Sequence, residues 1–531
     1  MPVERKPVTG PTDTAFYDLA IVGSGFGGSL LAMIARRLGL SVLLLERGQH
    51  PRFAIGESTS PLTNLLIEEL AQRYDLPRLL PLTTYGSWQE SYPEVACGLK
   101  RGFTYYRHDA GRPFRNAVDR SDQLLVAASP NDAVADTHWF RADVDAFFLQ
   151  EAIAAGAVYR DRVLLAPPIW EGETALLHGE RREARFSDRA RLIVDATGPR
   201  GYLSRALSLA ESEFPGYPAT QALYSHFTSV RRTETLSAFH RTETPPYPPD
   251  DAALHHVFDG GWMWVLRVGN GITSAGISVT DALAAELRLS EGEPAWRRFL
   301  TLYPTIGEQF AEAEAVQPFF HTPRLSFRTS AASGPGWVML PSAAAFVDPL
   351  FSTGFPLTLL GIERLARLLE ESWGTASLSA RLADFGRTTL EEVDTTAKYV
   401  GACYTAFPCF SRFAALSMLY FAAASYSEMA RRLQRPDRPR RYLAADLPEF
   451  GAALRALSLA ERQTAPTGDF DADVAAAVDS INVAGLCDPA KRNWYDVDLQ
   501  DVVAAAPKLG LSPNEMRSLL RTAPWAQPNS L

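Results

Sequence analysis

Residues 18–47, DLAIVGSGFGGSLLAMIARRLGLSVLLLER, constrain this chain more than any other stretch. The apolar run 19–22 predicts a strand. Gly23, Gly25 and Gly28 follow in G-x-G-x-x-G spacing, then a helical stretch, then a second apolar strand ending at Glu46. Each glycine has a separate reason: Gly23 permits the tight turn, Gly25 lets the backbone approach a pyrophosphate, and Gly28 lets helix and strand pack closely. The pyrophosphate then meets the N-terminus of the helix, where free N–H groups and the dipole favour negative charge. Glu46 falls 18 residues after Gly28, where a carboxylate accepts bonds from ribose hydroxyls; Arg47 stands beside it as a further candidate contact. Three glycines alone are a weak signal. Between correctly placed strands, and with the acid, they specify a dinucleotide-binding unit.

A length of 531 residues exceeds what one hydrophobic core usually serves, so two or three substructures are expected. A formal charge of −9 speaks against nucleic-acid binding. The basic stretch 431–441 is interrupted by Asp and Pro and reads as a solvated helix end. Cys97, Cys403, Cys409 and Cys487 are too few and too scattered for a disulfide framework, and they lack zinc-site spacing. No charged-then-apolar leader precedes the glycine motif, and the longest apolar segments, such as 416–424, are too short to span a bilayer. The expectation is a cytoplasmic enzyme with no metal, no membrane span and no nucleic-acid partner.

Residues 1–16 carry Pro, Thr and charge without periodicity and predict a loose arm. Ser60-Pro61 opens a predicted helix over 62–74. Residues 104–115 read as a strand end and loop, 131–139 as a polar lead-in, and 140–155 as a helix. A short strand, 191–194, precedes Asp195-Ala196-Thr197-Gly198. Residues 217–230 and 255–279 alternate as strands of a second, largely antiparallel layer. After a short strand at 337–340 comes a loop and the apolar helix 357–369. From about 380 the pattern is mostly helical, with a Pro-rich break at 436–440 and a short Ala/Asp-rich helix at 471–480. The resulting expectation is an α/β chain. It has a dinucleotide-binding Rossmann-like domain (17–205 and 331–379), an inserted substrate-facing antiparallel sheet (206–330) and a helical C-terminal region (380–531).

Several segments, in order, resemble the flavin-dependent halogenase family, and its pyrrole-acting members in particular. They are HPRFAIGESTSPLTNLL from His50, GLKRGFTYYRHDAG from Gly98, FRADVDAFFLQEAI from Phe140, LHHVFDGGWMWVLR from Leu254, FVDPLFSTG from Phe346 and ACYTAFPCF from Ala402. The resemblance covers residues 17–450 and fades over the last stretch. It implies that reduced FAD (FADH2) and O2 oxidise chloride or bromide to hypohalous acid, which is directed onto an electron-rich aromatic, pyrrole or phenol. Its alternative is a non-halogenating FAD monooxygenase or oxidase of the same fold. The absence of a second G-x-G-x-x-G unit suggests that reduced flavin comes from a separate reductase. The substrate could be free or carrier-bound, and the C-terminal helices could cover the pocket or support a homodimer.

On this resemblance Lys100 matches the family's essential lysine; its residue-level alternative is a surface lysine at a strand start. Glu57 and Ser58 match a segment beside the flavin, although Glu57 is also placed to cap the helix near Pro61. In Asp348-Pro349-Leu350-Phe351-Ser352-Thr353-Gly354 the backbone N–H groups of Thr353 and Gly354 suit halide or the flavin edge; the alternative is a rigid turn. Phe351 stands where tryptophan-acting members carry Glu, so free tryptophan is disfavoured as substrate. Asp195 is expected to close around the adenosine side. Arg141 either reaches the FAD phosphates or ribityl chain, or pairs with Asp143 or Asp145. Trp262 and Trp264 match the W-x-W wall that keeps substrate from the flavin, and alternation puts both on one strand face. The family's following Ile-Pro is here Leu266-Arg267. This departure leaves Arg267 either in solvent behind the wall, the favoured reading, or paired with an acidic residue or substrate group. Leu340-Pro341 also replaces a common Gly-Asp, as it does in the pyrrole-acting relatives.

Overall fold

The computed structural model describes residues 15–462 and 469–523, so the arm expected over 1–16 lies almost wholly outside the described residues. Strand β1 (Phe16–Val22), helix α1 (Phe26–Arg37) and strand β2 (Val42–Leu45) form the dinucleotide unit. Successive β1 residues enter opposite cores, Leu19 and Ile21 on one face, Ala20 and Val22 on the other, as a sheet covered on both sides requires. Helix α2 (Pro61–Arg73) starts at Ser60, whose Oγ accepts from Thr63 N at 3.4 Å, with Pro61 in the first turn. That assignment removes Glu57 as the cap.

Strands β3 (Cys97–Lys100), β4 (Gly102–Arg107), β5 (Gln123–Ala127) and β6 (Asp136–Trp139) follow, then helix α3 (Arg141–Ala154) and strands β7 (Val158–Arg160) and β8 (Ala184–Asp195). The short strand read at 191–194 is the end of the twelve-residue β8. Four strands come next: β9 (Thr220–Thr228), β10 (Ala253–Phe258), β11 (Gly261–Arg267) and β12 (Thr273–Thr280). Strand β13 (Trp337–Met339) returns to the first sheet. The long helices α4 (Gly354–Ser372), α5 (Leu378–Ala406) and α6 (Phe410–Arg432) complete the site-bearing part.

The nucleotide sheet runs β13-β8-β1-β2-β7, all parallel. The second sheet runs β9-β12-β11-β10-β4-β5. Among these six strands the pairs are antiparallel except β10 with β4, where Ala253 faces Phe103. Residues 102–127, expected with the nucleotide domain, therefore belong to the second sheet. Trp494–Tyr495, from the otherwise helical C-terminal region, extends it beside β5. Only a partner about 150 residues away makes β4 a strand of that sheet, and no local pattern encodes such a pairing.

One core cluster joins α1, α2, the inner face of the second sheet and helices α4–α6. Tyr399, Phe413 and Tyr420 of the C-terminal helices are fully or almost fully buried in it; burial of each such side chain contributes about 1.5–3 kcal/mol. The C-terminal helices thus cover the sheet face that carries the tryptophans. Among the described residues no helix is long and apolar enough to cross a membrane, and no group of three metal-ligating side chains occurs.

Candidate active site

At the nucleotide end, Gly23 has φ +104°, and a Cβ there would lie 2.5 Å from Ala196 O; a Cβ on Gly28 would lie 2.0 Å from Gly23 O. Both positions therefore require glycine. Gly25 precedes α1, and its missing Cβ faces the guanidinium of Arg52 and the carboxylate of Asp145, each at 3.5 Å. Glu46 Oε2 accepts from Ser24 N (3.2 Å) and Ser24 Oγ (3.1 Å), and Oε1 accepts from Gly48 N (2.8 Å). Burial alone would raise its pKa, but these bonds and Arg52 outweigh burial and hold it below the usual value. Arg47 is exposed at the end of β2.

Arg141 forks onto Asp145 with two 2.9 Å bonds and donates to Ile55 O (3.0 Å) and Gly56 O (2.9 Å). The acid is thus Asp145; Asp143 instead accepts from Ala96 N. Asp145 also accepts from Phe26 N at the start of α1 (3.2 Å). Arg141 consequently fixes the turn at 55–56 and the α1 entrance, with its guanidinium engaged by the protein. Asp195 accepts from Thr197 N, Thr197 Oγ1 and Leu203 N. Its carboxylate braces the turn behind Gly23, where the expectation was an adenosine contact, and burial pushes its pKa up. The unexpected cation here is Arg52. It lies 3.8 Å from Glu46 and 4.0 Å from Asp145, and its Nε is buried with no partner. The glycine cradle and the uncommitted Arg52 Nε fit a dinucleotide pyrophosphate, and the ionised Glu46 fits ribose hydroxyls. Arg52 lies within a stretch that resembles the family, but only the fold brings it beside Gly25.

Lys100 ends β3 and is fully buried, not a surface residue. Its Nζ donates to Thr59 O and lies 3.9 Å over the Phe103 ring. Asp136 stands directly opposite it in the β3–β6 ribbon. Burial pulls the lysine down and pushes the aspartate up, while each charge partly offsets the other's shift. Period-two alternation puts His138 on the same face as Asp136. His138 and His255, both near Lys100, are driven to about 3 chiefly by burial. Ser58 bridges to His138, continuing the ribbon. Ser58 Oγ, Asn64 Oδ1, Asp136 Oδ2, His138 Nε2 and Tyr105 OH are buried without partners. Four of these atoms belong to residues tied to the Lys100 ribbon, Ser58 and Asn64 through His138 and Asp136, an uncommon concentration of unsatisfied buried polar groups. Glu57, one residue from Ser58, bonds His226 Nε2 at 2.8 Å.

Trp262 and Trp264 share one face of β11, with ring centroids 5.8 Å apart, and the His255 ring lies 5.4 Å from Trp262. Gly276 makes room for the wall, since a Cβ there would sit 2.4 Å from the Trp264 ring. Trp262 Nε1 donates to Asp348 Oδ1 (3.2 Å), and Asp348 Oδ2 accepts from Ser278 Oγ (3.0 Å) and Tyr404 OH (2.8 Å). Buried Asp348 is pushed up to about 6. It anchors the wall and, through Leu350 N (2.9 Å), the following loop, in place of the cofactor contact expected from sequence. Phe351 and Ser352 adopt φ +62° and +57°, a strained conformation for side-chain-bearing residues. Phe351 is fully buried and stacks on Tyr420 at 4.7 Å; Tyr420 meets Phe103, the ring beneath Lys100, at 5.8 Å. Thr353 Oγ1 donates to Asp348 O at 2.7 Å. Gly354, exposed, opens the nineteen-residue α4, and a Cβ there would meet nothing within 4 Å.

Arg267 corrects the solvent-side expectation. It faces away from the tryptophans, as strand parity requires, but it is paired: Nε and Nη2 bond buried Asp250 at 3.0 and 2.7 Å, and Nη1 and Nη2 bond Val230 O and Arg231 O at 2.9 and 2.7 Å.

The NAD(P)-binding Rossmann-like domain family matches residues 21–65. The chain is 28% identical over 426 residues to the monodechloroaminopyrrolnitrin halogenase of Pseudomonas fluorescens, covering 78% of this chain and 72% of that protein. It is 29% identical over 352 residues to the tetracycline 7-halogenase of Kitasatospora aureofaciens, covering 64% and 61%. Its fold is similar to that of the halogenase PltM solved with phloroglucinol and FAD, with TM-score 0.79, 24% identity and coverage of 90% and 99%. The chain is thus similar to flavin-dependent halogenases and shares the Rossmann-like FAD-binding fold with its inserted sheet and helical C-terminal region.

Proposed function

We propose that this protein is an FADH2-dependent halogenase that chlorinates or brominates an electron-rich aromatic, of pyrrole or phenol type, by directing hypohalous acid. The observation that carries the reading is the buried Lys100 amine, set over Phe103 on a ribbon that carries unpartnered buried polar atoms. Reduced FAD, when bound, supplies with O2 the oxidising equivalents that convert halide to hypohalous acid. Gly23, Gly25, Gly28, Glu46 and Arg52 hold the dinucleotide. The N–H groups of Thr353 and Gly354 attract halide or the flavin edge at the start of α4. Lys100 receives the electrophile, by hydrogen bonding or as a haloamine. The Trp262/Trp264 wall keeps substrate from the flavin, and Phe351 contributes to the apolar surround.

Two relatives are named for a pyrrolnitrin precursor and for tetracycline, and a solved relative carries phloroglucinol, a phenol; these names favour the aromatic substrate class. Reduced flavin would come from a separate reductase. The alternative, a non-halogenating monooxygenase, drew its support from a charge beside the wall, and Arg267 lies on the other face, tied to Asp250. The test is incubation with FADH2, O2 and chloride or bromide across phenol, pyrrole and indole panels, read by mass spectrometry with labelled oxygen. Halogenated product that disappears in Lys100→Ala, with FAD binding retained, supports the proposal. Oxygen label without halogen, in substrates that are consumed, rejects it.

A further inference from the structure

We propose that Asp136 is the proton partner of Lys100: the carboxyl group opposite the amine in the β3–β6 ribbon gives and takes the proton the amine exchanges when it meets an electrophilic halogen. The proposal rests on the halogenase reading for its chemistry, and on geometry for the pairing. Antiparallel register places Lys100 and Asp136 on one rung and therefore on one face, and both are buried. Asn64 Nδ2 donates to Asp136 Oδ1 at 2.8 Å and orients the carboxyl group, while Oδ2 has no protein partner. That oxygen is free to meet the amine, whose Nζ donates to Thr59 O.

The other groups around the pair are poorly placed for the task. His138, from β6, and His255, from β10, have Nδ1 atoms 3.1 Å from Arg267 O and 3.2 Å from Thr104 O, and burial disfavours their protonated forms. Tyr420, from α6, holds its proton more tightly than a free tyrosine because it is buried. Glu428 and Arg432, also from α6, act on Asp136 only through their fields, in opposite directions. Glu57 is engaged with His226. Asp136 is left as the group that can hold or release a proton beside the amine, because burial raises it while it lowers the lysine.

The step balances. In the uncharged form of the pair the amine lone pair attacks the halogen of hypohalous acid. The nitrogen–halogen bond forms as the halogen–oxygen bond breaks, and the departing hydroxide takes the carboxyl proton and leaves as water. The carboxylate then recovers a proton from the halogenated nitrogen. The products are a haloamine and water, with Asp136 protonated as at the start. When the aromatic carbon takes the halogen, the nitrogen–halogen bond breaks, and the proton lost from the ring restores the amine.

The chain contains five lysines, Lys6, Lys100, Lys398, Lys491 and Lys508, so selective isotopic labelling of lysine gives a spectrum simple enough to assign by the signal lost in Lys100→Arg. The titration midpoint of Lys100 is followed by NMR in the wild type, Asp136→Asn and Asp136→Glu, without any need for turnover. Asp136→Asn keeps the shape and the Asn64 bond and removes the charge that favours the ammonium form. The Lys100 midpoint should therefore fall by about one pH unit or more, and Asp136→Glu should return it most of the way. Halogenation in Asp136→Asn should drop about 100-fold with FAD affinity unchanged, and the pH dependence of the remaining rate should move with the NMR midpoint. An unchanged midpoint in Asp136→Asn overturns the pairing, and a wild-type rate and pH profile overturn its role in the chemistry. If the wild type halogenates nothing, the halogenase reading fails by itself, and the Lys100 titration still decides whether the pair exists.

Discussion

Removing the Arg267 side chain should cost stability and leave the chemistry standing. Asp250 is wholly buried, and Arg267 is only one-fifth exposed. Asp250 also accepts from Thr233 N at 2.7 Å, but Arg267 is its only ion-pair partner among the described residues. Breaking a buried pair from one side leaves an uncompensated charge and costs about 3–5 kcal/mol. The partial exposure of the arginine argues for the lower end. The lost bonds to Val230 O and Arg231 O add about 1 kcal/mol each where those carbonyls cannot reach water. Arg267→Leu should therefore lose about 3–5 kcal/mol in urea unfolding followed by tryptophan fluorescence. Arg267→Leu combined with Asp250→Asn should recover more than half of that loss, because the stranded charge is gone. Halogenation per folded molecule should stay within about twofold of wild type, since the Arg267 side chain leaves its strand on the face opposite Trp262 and Trp264. A single variant within about 1 kcal/mol of wild type would refute the argument from burial. So would a double variant no better than the single one.

Other outcomes follow from the same geometry. Gly28→Ala should abolish FAD binding measured by flavin fluorescence, because its Cβ would lie 2.0 Å from Gly23 O; tight binding by that variant would contradict the cradle. Asp348 is raised to about 6 from 3.8 by burial, so the folded state holds its proton more tightly than the unfolded chain. The penalty for ionising it is absent below pH about 4, grows as pH rises to 6 and is full above, at about 3 kcal/mol. Asp348→Asn should accordingly gain stability over wild type at pH 8 and show a gain smaller by about 1–2 kcal/mol at pH 5; a pH-independent difference would show that the carboxyl group is not raised. Gly276→Val should displace Trp264, because a Cβ at that position would lie 2.4 Å from its ring, and should raise the fraction of oxidant released to a monochlorodimedone trap; unchanged leakage would remove Trp264 from the wall.

What could be read directly from sequence was local. The glycine spacing and Glu46 gave β1–α1–β2, Ser60-Pro61 gave the start of α2, and alternation put Trp262 and Trp264 on one face. Each depends on neighbours a few residues away. The roles of Asp136, Arg52 and Asp250 depend on register and packing between segments distant in the chain. Asp136 meets Lys100 only because β3 pairs with β6, and its lead-in reads as merely polar. Asp348 and Asp195 look like free carboxylates in sequence, yet their oxygens are engaged by Trp262, Tyr404, Thr197 and Leu203 once the chain is folded. An acidic residue in a motif signals that an acceptor is needed; the donors that meet it are chosen by the fold.

A single residue, Arg101, separates β3 from β4, and its backbone is pinned on both sides by bonds to Asp251 O and from Ala128 N. The amine of Lys100 is thereby locked in phase with the second sheet. One inserted or deleted residue would turn the lysine to the opposite face, because side chains alternate. On the proposed function, substrate fit can change on the other side of the amine, where Tyr420 and Phe421 of α6 meet Phe103, and Tyr399 of α5 and Phe413 of α6 pack on Phe351. Those helices can exchange aromatic bulk for space one position at a time while the reactive nitrogen stays fixed, so directed evolution toward larger arenes is best aimed at them.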